Sequence, residues 1–433
     1  MWLKSIYGHK IMTNLYKRLW FWVLIFMIFG ISFGAIDPIH GKACKPIIDN
    51  FIHVIRLLVG PIIFLTVVSG IIGMGSLKSL GTIGTKSFIY FEVLSTFALV
   101  IGLTSAKLLG VGRGMNLSIA AMDPNLVTDY IKGSKQGSGI GQILLGAIPS
   151  NPLESFLSGN TLQVLFMAIV CGFALFYLSG KYKDLVSSAL KKLQHYAFKI
   201  LSIVMLFSPI AAFSAMAFMI GTFGLDILMQ MLGLVIAMLG TCIFFILIIL
   251  GVVAKFTGFS ILRFLNLIKD EIILVFATSS SESALGPIMH KLSHSGADES
   301  VVGIVIPAGY SFNLDGTNIY LALVIAFLCH AFNINLTWQE HLLIIGVLMA
   351  TSKGAAGVSG AGFIVLAGTL DAMHGKIPVV TIGILLGIDK IMSELRSTTN
   401  LVGNSVATIV IAAWEKKLDR KKFNQAMHLH GEV

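Results

Sequence analysis

The chain has 433 residues, 56% of them hydrophobic and 12% charged, with a mean hydropathy of +0.87, which excludes a soluble globular protein. Its repeated long apolar runs exclude an outer-membrane barrel, which has no use for them. The formal net charge of +10 falls in the connections between those runs and forms no stripe on a folded face, which argues against nucleic acid as a partner.

In chain order, apolar stretches predict membrane-spanning helices near residues 19–36, 51–74, 86–110, 162–180, 200–223 and 226–256, each long enough to cross a bilayer. The first is too long for a signal-peptide core and lacks a cleavage site, so it belongs to the mature chain. The polar, Gly-rich stretch from Val111 to Thr161 reads as a large extracytoplasmic connection carrying one short helix. Basic residues orient the protein. Lys4, Lys10, Lys17 and Arg18 precede the first span, Lys181, Lys183, Lys191, Lys192 and Lys199 share one connection, and Lys416, Lys417, Arg420, Lys421 and Lys422 follow the last span. All three regions, and so both termini, are expected to be cytoplasmic. Cys44, Cys171, Cys242 and Cys329 show no CxxC or metal-ligand spacing and read as small packed thiols.

After residue 258 the apolar runs become interrupted by small polar residues, "ATSSSESALGP" (Ala277 to Pro287) and "ATSKGAAGVSGAG" (Ala350 to Gly362). Each interruption begins Ala-Thr-Ser, and each is followed by an apolar run holding an Asn-Leu-X-Gly motif, "NLDGTN" from Asn313 and "NLVGNS" from Asn400. This is an internal repeat of hairpin plus span, the pattern of broken helices that marks a transporter site. Helix ends inside a bilayer expose N–H groups and a positive dipole end, so two of them meeting would suit an anion.

The last span places Asp389, Ser393, Arg396, Asn400 and Asn404 on one stripe, within an arc of roughly 80° at about 100° per residue. Lys390 and Glu394 fall outside it and can pair at i, i+4, which removes Glu394 as the acid of the site. Arg396 is the expected substrate residue, because its planar fork matches a carboxylate in two parallel hydrogen bonds. An internal pair with Asp389 or Asp315 is the competing role. Asn313, Asp315, Asn400 and Asn404, with carbonyls freed where helices unwind at Gly316 and Gly403, offer hard oxygen ligands for Na⁺ or a proton-linked network. Glu92 in the third span is a further candidate proton carrier, as are Asp315 and Asp389. "GVGRG" (Gly110 to Gly114) lacks the strand context of a nucleotide fingerprint and reads as loop. Ser280 and His290 lack the third member of a hydrolase triad, which argues against an enzyme.

"TSSSESALGP", "NLDGTN", "TSKGAAGVSGAG" and "GIDKIMSELRSTTNLVGN" together resemble the dicarboxylate/amino-acid:cation symporters, the glutamate-transporter fold, over most of the chain. The resemblance implies an all-α integral membrane protein of eight transmembrane helices and two re-entrant hairpins, with inverted repeats and an elevator-type motion, assembled as a homotrimer in membrane lipid. It divides the chain into scaffold spans (1–85), a transport-domain span (86–110), the extracytoplasmic connection with two more scaffold spans (111–223), the rest of the transport domain (224–412) and a cytoplasmic tail (413–433). It further implies that Ser280, Ser281, Thr317, Val358, Gly362, Ser393, Arg396, Ser397 and Asn400 surround the substrate. The implied cation positions are Gly309, Ser311, Asn313, Asp315, Ser352, Asn400 and Asn404.

Departures from the amino-acid carriers sharpen this. Ser393 stands where those carriers have an Asp that holds the substrate ammonium, so a dianion without an amino group fits better. With its "TSKGAAGV" and the Ser-Glu before the Arg, the chain is most similar to the bacterial C4-dicarboxylate carriers. Asn404 replaces an acidic cation ligand, and Phe91, Leu94 and Ala355 replace polar side chains, which favours protons or fewer Na⁺ ions. Gly286 stands where a Pro usually ends the first hairpin's tip.

The expectation is a symporter of the bacterial inner membrane that imports succinate, fumarate or malate with H⁺ and/or Na⁺ and needs no other cofactor. An acidic or neutral amino-acid symporter is the nearest alternative, and an anion channel or membrane sensor the alternative from another class.

Overall fold

The computed structural model describes residues 19–73, 80–117, 148–149, 151, 156, 161–176, 180–352, 361–372, 377, 379–386 and 388–429. Among these residues the regular structure is helical apart from one antiparallel bridge between Ala297 and Leu418. Helices satisfy all but their terminal backbone polar groups within their own segment, as a chain this apolar requires in a bilayer.

One group of helices is held by small residues. α1 (Leu19–Ile36) and α2 (Pro38–Ala43) lie along α7 (Ser208–Phe223). A Cβ at Gly30 or Gly34 would overlap the Phe213 or Ala217 carbonyl, and one at Gly41 would come within 2.7 Å of the Ala217 oxygen. Such contacts let helix backbones approach closely without a hydrophobic driving force. α3 (Lys45–Gly73) packs against α5 (Thr161–Phe176) and α6 (Gly180–Met205).

The second group surrounds α14 (Asp315–Ala331), which is almost wholly buried. Its neighbours are α4 (Thr85–Leu109), α17 (Asp389–Trp414) and α8 (Ile227–Phe244), the last continuing through a wide turn at Phe245–Ile249 into α9 (Leu250–Thr257). Gly102 brings α4 against α14, since a Cβ there would stand 2.7 Å from the Ala322 Cβ. α13 (Glu299–Phe312) precedes α14, with Asn313 and Leu314 between them in non-helical conformations.

α10 (Ile261–Leu267) leads into a helical hairpin of α11 (Lys269–Thr278) and α12 (Leu285–His294). Lys291 reaches back to Glu271 (2.7 Å) and to the Leu267 carbonyl (3.1 Å), which sets the two arms antiparallel. α15 (Trp338–Thr351) opens with a capping box of Thr337 and Glu340, and its Thr351 hydroxyl meets Thr369 of α16 (Ala361–Ala372) at 2.8 Å. α18 (Arg420–Leu429) follows α17.

Four described helices are long and apolar enough to cross a membrane: Pro38–Ser69, Thr82–Leu109, Ile227–Thr257 and Glu299–Ala331. Asp184–Met205 and Ser208–Phe223 pass the same test only when taken together, across a bend of 50°. The break at Leu206 and Phe207 falls inside the span expected near 200–223 and corrects its N-terminal bound. Pro209 sits in the first turn of α7, where its missing N–H costs nothing, and it could not have continued α6 without breaking a backbone bond. A second correction concerns Gly403, which lies inside the unbroken helix α17 and is not unwound. The break expected at Gly316 falls just before it, at Asn313 and Leu314. "GVGRG" is a turn, with Gly110, Gly112 and Gly114 at positive φ. Val358, Ala355, Lys4, Lys10, Lys17, Arg18 and most of the connection from 111 to 161 lie outside the described residues.

Candidate functional site

The break between α13 and α14 exposes the first N–H groups of α14 in the middle of the bundle. Asn400, on the facing side of α17, answers them. Its Oδ1 accepts from the Gly316 and Thr317 N–H groups at 2.8 and 3.3 Å, and its Nδ2 donates to Thr317 Oγ1 at 3.2 Å. A side chain from another helix thus caps α14, as a buried helix start requires. Gly316 allows this approach, because a Cβ there would overlap the Arg396 carbonyl.

One turn further along α17 lies an oxygen-rich cluster. Asn313 Nδ2 donates to Asp315 Oδ2 (3.2 Å) and to Asn404 Oδ1 (3.0 Å), and all three residues are buried. The Asp315 carboxylate occupies the space that a Cβ at Gly403 would need, and Asn404 Oδ1 the space beside Gly309. These contacts, and not unwinding, explain a glycine at each position. Asn313 Oδ1 and Asn404 Nδ2 are buried without a hydrogen-bond partner among the described residues.

Arg396 is 2% exposed. Its Nη2 donates to Ser393 Oγ at 2.9 Å and its guanidinium stands 5.4 Å from the centre of the Tyr320 ring. The Tyr320 hydroxyl donates to Asp389 at 3.1 Å, so the acid meets the arginine's ring partner and not the arginine itself. Among the described residues Arg396 has no ion pair, and its Nη1 has no hydrogen bond. Gly362, in the first turn of α16, leaves room for that Nη1, which a Cβ would overlap. A buried guanidinium whose nearest acid, Asp389, reaches it only across Tyr320 is costly, and two donors in a fixed fork suit a carboxylate.

The first hairpin joins α17 at Ser279, a residue in the left-handed region at φ 54°. The Ser279 carbonyl accepts from Ser397 Oγ at 3.0 Å, and its hydroxyl accepts from Lys390. Lys390 also lies 3.8 Å from Glu394, the pairing anticipated from their spacing. Ser281 is buried and its hydroxyl has no partner among the described residues, while the half-buried Ser280 accepts from Ser283 Oγ at 2.7 Å.

The structure therefore joins Thr317, Ser393, Arg396, Ser397, Asn400 and Gly362 around one region, and Gly309, Asn313, Asp315 and Asn404 beside it. Ser311 is half-buried, and Ser352 is buried with its hydroxyl on the Met349 carbonyl at 3.3 Å. Neither hydrogen-bonds to the Asn313 cluster. Glu92 is half-buried on α4, where its carbonyl accepts from Thr96 at 2.7 Å. Two participants went unnoticed in the sequence, Tyr320 and Ser279. A tyrosine in an apolar run needs a partner for its hydroxyl, and that was the available signal for the first. Ser279 gave none.

A clasp holds the far ends of α4 and α17 together. Lys86 pairs with Glu415 at 2.6 Å and lies 5.0 Å over the Trp414 ring, and Thr82 donates to Glu415 at 2.8 Å. These hydrogen bonds, that of Lys86 first, hold the Glu415 carboxyl below the usual carboxylate range.

Residues 19–414 match the model of the sodium:dicarboxylate symporter family. A protein of Burkholderia cenocepacia (strain HI2424) described as a C4-dicarboxylate transport protein is 45% identical over 418 residues, 96% of either chain. One of Caulobacter vibrioides with the same description is 46% identical over 411 residues, 95% of this chain and 98% of the relative.

Proposed function

We propose, for a chain that belongs to the sodium:dicarboxylate symporter family, that it imports C4-dicarboxylates such as succinate, fumarate or malate by symport with a monovalent cation. The observation that carries this reading is Arg396, buried at 2% exposure with no acid in ion-pair reach among the described residues. One substrate carboxylate takes its fork, and the other lies toward the first hairpin and Asn400. Ser393 supports a dianion over an amino acid, since it accepts from Arg396 where a carboxylate would be needed to hold an ammonium group.

The co-transported cation sits at Asn313, Asp315 and Asn404. Support comes from the buried Asn313 Oδ1, which no described residue satisfies, beside the Asp315 carboxylate. One carboxylate and amide oxygens suit Na⁺ or a proton-linked network, and hard oxygen ligands disfavour soft metals. Eight spans, two re-entrant hairpins, an elevator motion, a homotrimer and an inner membrane with both termini cytoplasmic complete the proposal. The separate packing of α1, α2 and α7 from the group around α14 supports a scaffold and a moving part.

Labelled succinate uptake into proteoliposomes tests this, with inward Na⁺ and proton gradients imposed separately and aspartate as competitor. Concentrative uptake that ignores aspartate is expected under one gradient. Block by aspartate would move the assignment to amino acids, and absence of accumulation under both gradients would sink symport.

A further inference from the structure

The helix Ile227–Thr257 has 31 residues, about 46 Å at 1.5 Å per residue, and so overruns a hydrocarbon core of about 30 Å. That excess length brings an end of the helix to the headgroup layer, and Lys255 in the last turn marks the C-terminal end as such an end. There Gly258, at φ +94°, stops the helix and turns the chain into α10. α18 docks against this corner. Phe423 meets Phe259 edge-on with ring centres 5.5 Å apart, and Arg420 Nη1 donates to the Thr257 carbonyl at 3.1 Å.

Between the corner and α18 runs a groove of about 710 Å³. One wall is Leu247, Ile248 and Val252, all exposed on the surface of that apolar helix. The mouth carries the exposed cations Lys255 and Arg263. No acidic residue lines the groove, and neither cation has an ion pair among the described residues. We propose that this groove binds an anionic phospholipid, its phosphate between Lys255 and Arg263 and one acyl chain along the apolar wall.

Two observations favour this occupant. The apolar wall is continuous with a membrane-spanning helix, so a chain entering from the bilayer stays in apolar contact, which a free phosphate cannot use. The two exposed cations, one in the last turn of the span and one in the helix that follows, suit the negative phosphate of a headgroup. A second basic surface hollow, on α6 around Lys191 and Lys192, carries its own acid in Asp184 and has no such wall.

Native mass spectrometry of the full-length protein in detergent, titrated separately with phosphatidylglycerol, phosphatidylcholine and inorganic phosphate, tests the site. Basic side chains near a headgroup contribute about fivefold each in affinity. K255Q/R263Q is therefore expected to weaken phosphatidylglycerol binding roughly twenty-five-fold, leave phosphatidylcholine unchanged and keep the wild-type melting temperature. K191Q/K192Q is expected to bind like wild type. V252W, which fills the apolar wall and keeps both charges, is expected to lose phosphatidylglycerol binding even if the double variant fails to fold. Equal binding of the two lipids, wild-type phosphatidylglycerol affinity in either groove variant, or equally tight binding of phosphate alone would overturn the proposal.

Discussion

Gly362 and Arg396 share one volume: the space that a Cβ at Gly362 would enter is filled by Nη1 of the arginine. The glycine lies in the first turn of α16 and the arginine two turns into α17, so this contact sets how closely the start of α16 approaches the guanidinium. Gly362→Ala should push the fork aside. Misplacement by about 1 Å can cost on the order of a hundredfold, so the KM for succinate uptake is expected to rise tenfold or more while expression stays normal. An unchanged KM would separate Gly362 from substrate binding.

Asn400 fills three hydrogen-bonding roles at the start of α14. Asn400→Ala leaves buried donors unanswered, at about 1–3 kcal/mol for each group. Lower thermal stability and loss of uptake are expected together. Asn400→Asp keeps the acceptor and loses the donor to Thr317, so its melting temperature should fall between the two. If the alanine variant melts like wild type, the capping role is wrong.

Tyr320 serves Arg396 through its ring and Asp389 through its hydroxyl. Tyr320→Phe retains the ring and leaves a buried carboxylate short of one donor, while Tyr320→Leu removes both. Succinate KM should change little in the first and rise in the second, because an aromatic face beside a desolvated cation contributes about 2 kcal/mol. Equal KM values in the two variants would show that the ring does nothing for the arginine.

The clasp between Lys86 and Glu415 has a defined pH window. The Glu415 pKa is depressed in the folded state, so its contribution to stability is present above the unfolded value, near 4.5, and is lost as pH falls through the folded value. Glu415→Gln is therefore expected to melt lower than wild type at pH 6 to 8. The gap should close at pH values below the ordinary carboxylate range. A gap that stays constant down to acid pH would rule out the ion pair as its source.

The polar stripe on α17 was legible because it lies on one unbroken helix, where a period of 3.6 residues fixes which side chains share a face. All five of its members are buried, as such a stripe requires. Gly403 was misread because a glycine in an apolar helix can mark either a break or a close approach. Only the position of Asp315 decides between them, and that residue lies on another helix. Tyr320 and Asp389 are 69 positions apart, beyond what local spacing can connect. The bend before α7 had a local signal in Pro209, which the strength of the surrounding apolar run concealed.

The bridge between Ala297 and Leu418 bears on the order in which the protein is made. The Asp298 N–H donates to the Lys417 carbonyl at 3.0 Å and the Asp419 N–H to the Gly296 carbonyl at 2.8 Å, so the corner between the first hairpin and α13 takes its backbone partners from the far side of α17. Translation delivers those partners more than a hundred residues after the corner itself. Until then the Asp298 N–H and the Gly296 carbonyl have only water to bond, while the Gly296 and Ala297 amides already bond to Ser293 and Leu292 within the hairpin's second arm. These bonds at the hairpin's base must wait for the tail, and a ribosome stalled before Lys417 would hold a chain whose helices through α17 are present and whose first hairpin still lacks its backbone bonds to Lys417 and Asp419.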